Sequence, residues 1–266
     1  MIDFHNHVLP NVDDGPKTLE ESMSMIRHAA SQGITDIVQT VHFQHPKMEG
    51  KNTSYNYLNN QMQIFQKAID QEQIKIKMHL SAEVFYLPNL LDIVDNPLVT
   101  FGNRKYMLIE FKTNIFPTGY ENEFYKLQCN GVNPIIAHPE RYRFIQENIN
   151  ILDSCIKRGY VIQVDASSII GGFGSKIQKI VFSMLDKGFI HLIGSDAHNS
   201  RKRNFCLRDA YSIIEKKYSE DSVNKLKKNV EKIKLGEEVL TIDFIEFKKK
   251  SSFLKEIISR LIKLLK

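Results

Sequence analysis

Histidines and carboxylates able to share a metal ion recur along the chain at spacings that ligation can use. His5-Asn6-His7 comes first. In extended chain, side chains two residues apart point the same way, so both imidazoles can reach one ion. Asp13-Asp14-Gly15-Pro16 follows, a turn sequence that also carries two carboxylates. Further on stand Thr40-Val41-His42, Ala82-Glu83, Leu108-Ile109-Glu110, Ile136-Ala137-His138-Pro139-Glu140-Arg141 and Gly194-Ser195-Asp196-Ala197-His198. Singly, each has a plainer meaning: a polar loop, a surface carboxylate, a capping turn. Together they supply nine candidate donors, His5, His7, Asp14, His42, Glu83, Glu110, His138, Asp196 and His198. That number exceeds the shell of one tetrahedral or octahedral ion, so more than one ion is implied. Mixed imidazole and carboxylate ligation suits manganese, iron or zinc better than calcium. His28, His45, His79 and His191 fall outside the pattern and are expected to be solvated or core histidines.

Two arginines extend the chemistry. Arg141 lies three residues after His138, and Arg203 five after His198. A guanidinium offers a phosphate two parallel hydrogen bonds, although either arginine alone could equally be an ordinary surface residue. Metals with phosphate-facing arginines suggest phosphoester hydrolysis. Cysteine-based phosphatase chemistry, which places an arginine six positions after the nucleophile, is absent: Ile135, Val161 and Ser212 stand there after Cys129, Cys155 and Cys206.

Convergence of such distant residues needs a fold that brings strand ends to one place. Short apolar, β-branched runs at residues 1–4, 36–40, 75–80, 106–110, 134–137, 161–164 and 191–193 predict strands. Between them, helical spacing predicts helices at 55–69, 121–127, 149–157, 176–186, 207–217 and 221–235, the last stopping at Gly236. Thr18-Leu19-Glu20-Glu21 predicts a capping box that opens another. Alternation of this kind predicts an α/β fold, a parallel sheet closed into a (β/α) barrel of about seven strands with C-terminal helices. The candidate donors sit at or just past six of the strand ends, which in a β/α barrel face one mouth, where barrel enzymes keep their sites.

The chain has 266 residues, 42% hydrophobic and 25% charged, which excludes disordered and fibrous classes and allows one large domain. Three scattered cysteines form no disulfide framework, and neither a secretory signal nor a membrane-spanning run is apparent, so a cytoplasmic protein is expected. Charge is uneven: residues 1–200 carry a net −3 and residues 201–266 a net +8. That concentration at one end argues against a nucleic-acid reader. Residues 1–245 are expected to form the catalytic domain and 246–266 a basic amphipathic helix. The helix admits two readings, docking on the barrel or on a second subunit, or peripheral attachment to an anionic inner leaflet.

Taken together, the segments resemble the PHP (polymerase and histidinol phosphatase) superfamily, and within it the bacterial manganese-dependent tyrosine-protein phosphatases of capsule and exopolysaccharide operons. The similarity rests on Asp3-Phe4-His5-Asn6-His7, Asp13-Asp14-Gly15-Pro16, Thr40-Val41-His42, Ala82-Glu83, Leu108-Ile109-Glu110-Phe111, Ala137-His138-Pro139-Glu140-Arg141, Gly194-Ser195-Asp196-Ala197-His198-Asn199 and Arg203. It implies a distorted barrel holding three ions of Mn2+, with Mg2+, Fe or Zn2+ as substitutes. One ion would take His5, His7, Glu83 and Asp196, a second Glu83, Glu110 and His138, and a third Asp14, His42 and His198. Arg141 and Arg203 would hold the phosphate and, with His42 and Asp14, make up the catalytic set. The implied reaction is attack on a phosphotyrosine by a hydroxide bridging two ions, the phosphotyrosine borne by a tyrosine kinase of the polysaccharide pathway. Another PHP phosphoesterase, such as histidinol phosphatase, shares these ligands and is the alternative. One departure is visible, Thr40-Val41-His42-Phe43 where the family often has Thr-Pro-His-His.

Overall fold

A computed structural model describes residues 1–48 and 52–247. Seven parallel strands form one sheet in the order of the sequence: β1 (Ile2–Asn6), β2 (Asp36–Phe43), β3 (Lys77–Phe85), β4 (Tyr106–Glu110), β5 (Asn133–Ala137), β6 (Val161–Asp165) and β7 (Leu192–Gly194). The barrel nearly closes just past β7. There Asp196 N donates to His5 O at 2.7 Å, and His7 N donates to Ala197 O at 2.8 Å. The helices are α1 (Leu19–Ser31), α2 (Tyr55–Gln71), α3 (Leu90–Ile93), α4 (Tyr120–Cys129), α5 (Arg143–Glu147), α6 (Ile151–Lys157), α7 (Ala166–Ile170), α8 (Ser175–Asp186), α9 (Leu207–Lys217) and α10 (Glu220–Leu235).

The expected seven-stranded barrel is present, with longer strands than apolar runs suggested. β2 reaches Phe43 and β3 reaches Phe85, so His42 and Glu83 lie inside strands, as register partners, rather than beyond their ends. The runs underestimated these strands because their final turns carry polar side chains that face the site rather than solvent. The short helices α3, α5 and α7 escaped periodicity, since one turn of helix has no repeat to detect. The helix expected at 121–127 begins at Tyr120 and the one at 149–157 at Ile151. Thr18 Oγ1 caps α1 by accepting from Glu21 N at 3.2 Å, and Gly236, at φ 73°, ends α10. The tail expected as a helix from 246 lies outside the described residues beyond Phe247.

Period-two geometry sorts the side chains. Outward residues such as Ile37, Val41, Ala82, Val84, Ile109 and Ile136 join the core under the helices. Inward, a second cluster gathers Phe4, Val38, Leu108, Ile135, Val161 and Leu192 with Val230 and Ile233 of α10. Steps of two or four residues along the same faces lead from Val38 to His42, Leu108 to Glu110, and Val161 to Asp165. The barrel interior is thus apolar at one end and acidic and imidazole-rich at the other.

His191, just before β7, is buried. Its Nδ1 accepts from Ile162 N at 3.1 Å, while its own N donates to Ile162 O. Burial pushes its pKa down to about 4, from about 6.5 in the unfolded chain. The unfolded chain therefore binds the extra proton between those values. The stabilisation is complete above pH 6.5 and drains away as pH falls towards 4, a loss approaching about 3 kcal/mol. Urea unfolding from pH 7 to pH 4 should show the gap between wild type and His191→Gln narrowing over that window.

Candidate metal centre

The site begins with an irregularity in β1. Its register against β2 slips between Asp3 and Asn6, three steps on one strand matching two on the other. The bulge turns Phe4 towards the inner cluster and still aims His5 and His7 into the mouth. Buried polar groups hold it. Asp3 Oδ1 accepts from His5 N at 3.0 Å, Asn6 Nδ2 donates to Val38 O at 3.1 Å, and Thr40 Oγ1 donates to Asn6 O at 3.0 Å. Burial raises the Asp3 carboxyl to about 6. Across the closure, a Cβ at Gly194 would stand 2.6 Å from His5 Cβ, so only glycine lets β7 approach β1 here.

All nine expected donors meet at this rim, with Glu83 at their centre. Glu83 Oε2 lies 3.3 Å from both His5 Nε2 and His7 Nε2 and 3.0 Å from His42 Nδ1, and Oε1 lies 2.7 Å from His138 Nε2. Asp196 Oδ1 faces His5 and His7 at 3.6 and 3.4 Å. Asp14 Oδ1 lies 3.4 Å from His42 Nε2 and 3.1 Å from His198 Nε2. Glu110 stands 3.9 Å from His138 Nε2 and 4.0 Å from His42 Nδ1. Four sets could each hold an ion, their donor atoms within 4.8 Å of one another: His7, Asp14, His42 and His198; His5, His7 and Asp196; His5, Glu83 and His138; His42, Glu83 and Glu110. Glu83 and three histidines are shared between sets, as neighbouring ions in a polynuclear cage would require.

The charges fit a site able to bind metal. Burial alone would raise Glu83, but His5 and His42 beside it hold its carboxyl well below the usual range. Burial would likewise lower His5, yet Glu83 and Asp196 carry it up to about 9. Glu110 is pushed up by burial and then by the Glu83 charge. Among the described residues, the buried atoms His138 Nδ1, His42 Nδ1, Glu110 Oε2 and Arg203 Nε meet no hydrogen-bond partner; His42 Nδ1 is close to Glu83 but off the direction of a hydrogen bond. Buried polar atoms are ordinarily satisfied, and donors left this way suit cations and an anionic ligand.

Both arginines stand at the edge of the cluster. Arg141 Nη1 donates to Asp196 Oδ2 at 2.6 Å and to Asp165 Oδ2 at 3.1 Å, while Arg203 also pairs with Asp196 Oδ2. Asn199 Oδ1 gathers the backbone N–H groups of Arg201, Lys202 and Arg203, and His198 N donates to Arg203 O at 2.7 Å. That loop sets Arg203 beside His198. His138 and Asp196 themselves adopt left-handed backbone, φ 31° and 49°, of the kind that concentrates at functional sites.

Several contributors went unread in the sequence. Asp13 Oδ2 pairs with His7 Nδ1 at 2.9 Å and accepts from His42 N at 2.7 Å. Gln163 Oε1 pairs with His5 Nδ1 at 2.9 Å, and Glu140 Oε1 accepts from Asp165 N and Ser168 Oγ. Such partners orient metal-binding imidazoles. Gln163 and Asp165 were legible in principle, as they share the inward face of β6 with Val161. His45, expected outside the site, lines the cavity with Nε2 3.8 Å from Glu110. No periodic signal marks it, because it stands on a loop. His28 pairs with Phe205 O and His79 with Asp36, both away from the rim.

The rim encloses a small polar cavity of about 90 Å³ lined by Asp14, His42, Glu83, Glu110, Arg141 and Arg203 among others. Residues 1–234 match the family described as capsular polysaccharide synthesis, CpsB/CapC. The tyrosine-protein phosphatase YwqE of Bacillus subtilis is 32% identical over 232 residues, covering 87% of this chain and 90% of that one. A solved structure from the pair YwqE of Bacillus subtilis and CpsB of Streptococcus pneumoniae, described as metal-dependent tyrosine phosphatases, superposes with a TM-score of 0.86 at 29% identity. It covers 91% of this chain and 98% of its own. A histidinol phosphate phosphatase from Lactococcus lactis, at 17% identity and a TM-score of 0.51 over 81% of this chain and 92% of its own, shares the fold.

Proposed function

Because the chain belongs to the capsular polysaccharide synthesis CpsB/CapC family, we propose that its rim hydrolyses phosphotyrosine on a protein with the help of divalent metal ions. It is a metal-dependent protein-tyrosine phosphatase. The observation that carries this reading is the meeting of nine donors, Glu83 at their centre, drawn from six of the seven strand ends, with two guanidinium groups at the edge. His5, His7, Glu83 and Asp196 would hold one ion, Glu83, Glu110 and His138 a second, and Asp14, His42 and His198 a third; of the four donor sets in the structure, one has the first group without Glu83, one has the third with His7 added, and two divide the second group between them. Manganese suits this mixture of imidazole and carboxylate. Bound there, such ions lower the pKa of coordinated water towards about 7 and offset phosphoryl charge.

The chain's own residues do the rest. Asp13 and Gln163 fix the tautomers of His7 and His5 by occupying their Nδ1 atoms. Arg141 and Arg203 turn towards the phosphoryl oxygens and stabilise the charge that builds on them. The shared Asp196 oxygen keeps both forks at the cavity edge beforehand. A phenol leaves with a pKa of about 10, so the site needs little help from a general acid.

The protein substrate in this reading is a phosphotyrosine-bearing kinase of the polysaccharide pathway; the family description supports the pathway, capsular polysaccharide synthesis. Among the described residues no helix is long and apolar enough to cross a membrane. The basic segment from 248 onward, through its charge, would bring the enzyme to an anionic leaflet.

Thiol chemistry has no support in the barrel: burial raises Cys155, and pushes Cys206 up to about 12. Chelation by EDTA should therefore abolish release of phosphate from a phosphotyrosine peptide, and manganese should restore it. Iodoacetamide should leave the rate within twofold. Loss on alkylation with resistance to chelation would overturn the reading. Histidinol phosphate assayed alongside tests the alternative substrate.

A further inference from the structure

Between α7 and α8 runs a four-residue loop, Gly171-Gly172-Phe173-Gly174. Its backbone is tightly specified. Gly171 and Gly174 take φ of 87° and 91°, values side chains resist, and a Cβ on Gly172 would stand 2.3 Å from Ser167 Oγ. Three of its residues thus lack side chains for reasons of shape. The one side chain it carries, Phe173, is half-buried, and the Arg141 guanidinium lies over its ring at 5.2 Å from the centroid.

One end of this loop is tied to the turn that carries Arg141, and the other to the helix before the loop. Ser168 Oγ of α7 donates to Glu140 Oε1 at 2.7 Å, one residue from Arg141. Gln178 Nε2 of α8 donates to Ile169 O at 2.8 Å, joining the two helices. The ring is therefore held in register with the arginine rather than swinging on a free loop.

We propose that Phe173 is the aromatic wall of the substrate site, against which the phenol ring of phosphotyrosine packs while Arg141 holds its phosphoryl group. The inference rests on the phosphatase reading above and deepens it to selection of aryl over alkyl phosphomonoesters. The geometry follows from the substrate itself. A single oxygen joins its ring to phosphorus, and guanidinium–phosphate hydrogen bonds are about 2.8 Å long. A ring so tethered can reach the roughly 4.5–7 Å centroid separation of aromatic pairs from the Phe173 ring that lies under that guanidinium. The short chain of phosphoserine brings no ring there.

The test uses the full chain loaded with manganese and two unreactive inhibitors, phenylphosphonate and methylphosphonate. In Phe173→Leu the inhibition constant of phenylphosphonate should rise about five- to tenfold, as expected for loss of one aromatic pair, while that of methylphosphonate stays within twofold. Phe173→Trp, which keeps an aromatic face, should preserve the wild-type ratio of the two constants. If both constants rise together in Phe173→Leu, the ring only supports Arg141 and the proposal falls. It also falls if neither constant moves. Wild-type protein inactive on a phosphotyrosine peptide would instead sink the phosphatase reading, and the proposal with it.

Discussion

Glu83→Gln should lower kcat/KM for a phosphotyrosine peptide by about a thousandfold, equivalent to ~4 kcal/mol of transition-state stabilisation. The substitution keeps the shape of the side chain and removes its charge. Glu83 Oε2 lies within 3.3 Å of three imidazoles and Oε1 within 2.7 Å of a fourth, so this one carboxylate meets four of the five imidazoles of the cage. An amide cannot bridge two cations as a carboxylate does, and its NH₂ would confront imidazole nitrogens that need to face a metal. A second readout separates loss of metal from loss of fold. Wild type should gain thermal stability on addition of manganese, about 2.7 kcal/mol when the ion is at a hundred times its Kd, and Glu83→Gln should gain little. A variant that binds manganese as wild type does and stays within tenfold of its rate would refute the central role of this carboxylate.

Arg141→Lys should cost about a hundredfold in kcat/KM, or ~2.7 kcal/mol, with metal content unchanged. Lysine keeps the charge and loses the planar fork. In the native site Nη1 bonds both Asp165 and Asp196, and the guanidinium lies over the Phe173 ring at 5.2 Å from its centroid. An ammonium on a flexible stem reproduces neither the fork nor the stacking. Arg203 pairs with the same Asp196 oxygen, so the double variant should lose less than the product of the single losses. Metal analysis of the purified variant with steady-state kinetics checks the claim. A large loss of bound metal in Arg141→Lys would mean that the arginine mainly supports Asp196 as a ligand, and its proposed role on the phosphate would fail.

The two effects separate the components of one site. In the proposed reading Glu83 would act on how many ions the cage can hold, and Arg141 on what the loaded cage does to a phosphoryl group. Chelation should imitate the first and leave the second without meaning.

The chemistry was unusually readable in the residues because metal ligation uses few side-chain types and a β/α barrel presents strand ends to one mouth. His5-Asn6-His7, Glu83, Glu110, His138 and Asp196-Ala197-His198 advertise themselves through both type and place. The supporting groups did not. Asp13 looks like half of a turn, Gln163 like any polar strand residue and Asp165 like a helix cap, until the barrel brings them to His7, His5 and Arg141. His45 reads only as a solvated or core histidine, because a loop has no period from which to infer direction, yet it stands beside Glu110.

From the order of its residues alone, this protein reveals its alternation of strand and helix, its parallel barrel and the identities of the donors, since those follow from local periodicity and side-chain chemistry. Tertiary structure alone decided which donors stand within reach of one another, how the bulge at His5 re-aims the first strand, and where Phe173 meets Arg141. Those are relations between segments tens to nearly two hundred residues apart, and no local pattern encodes a distance across the barrel.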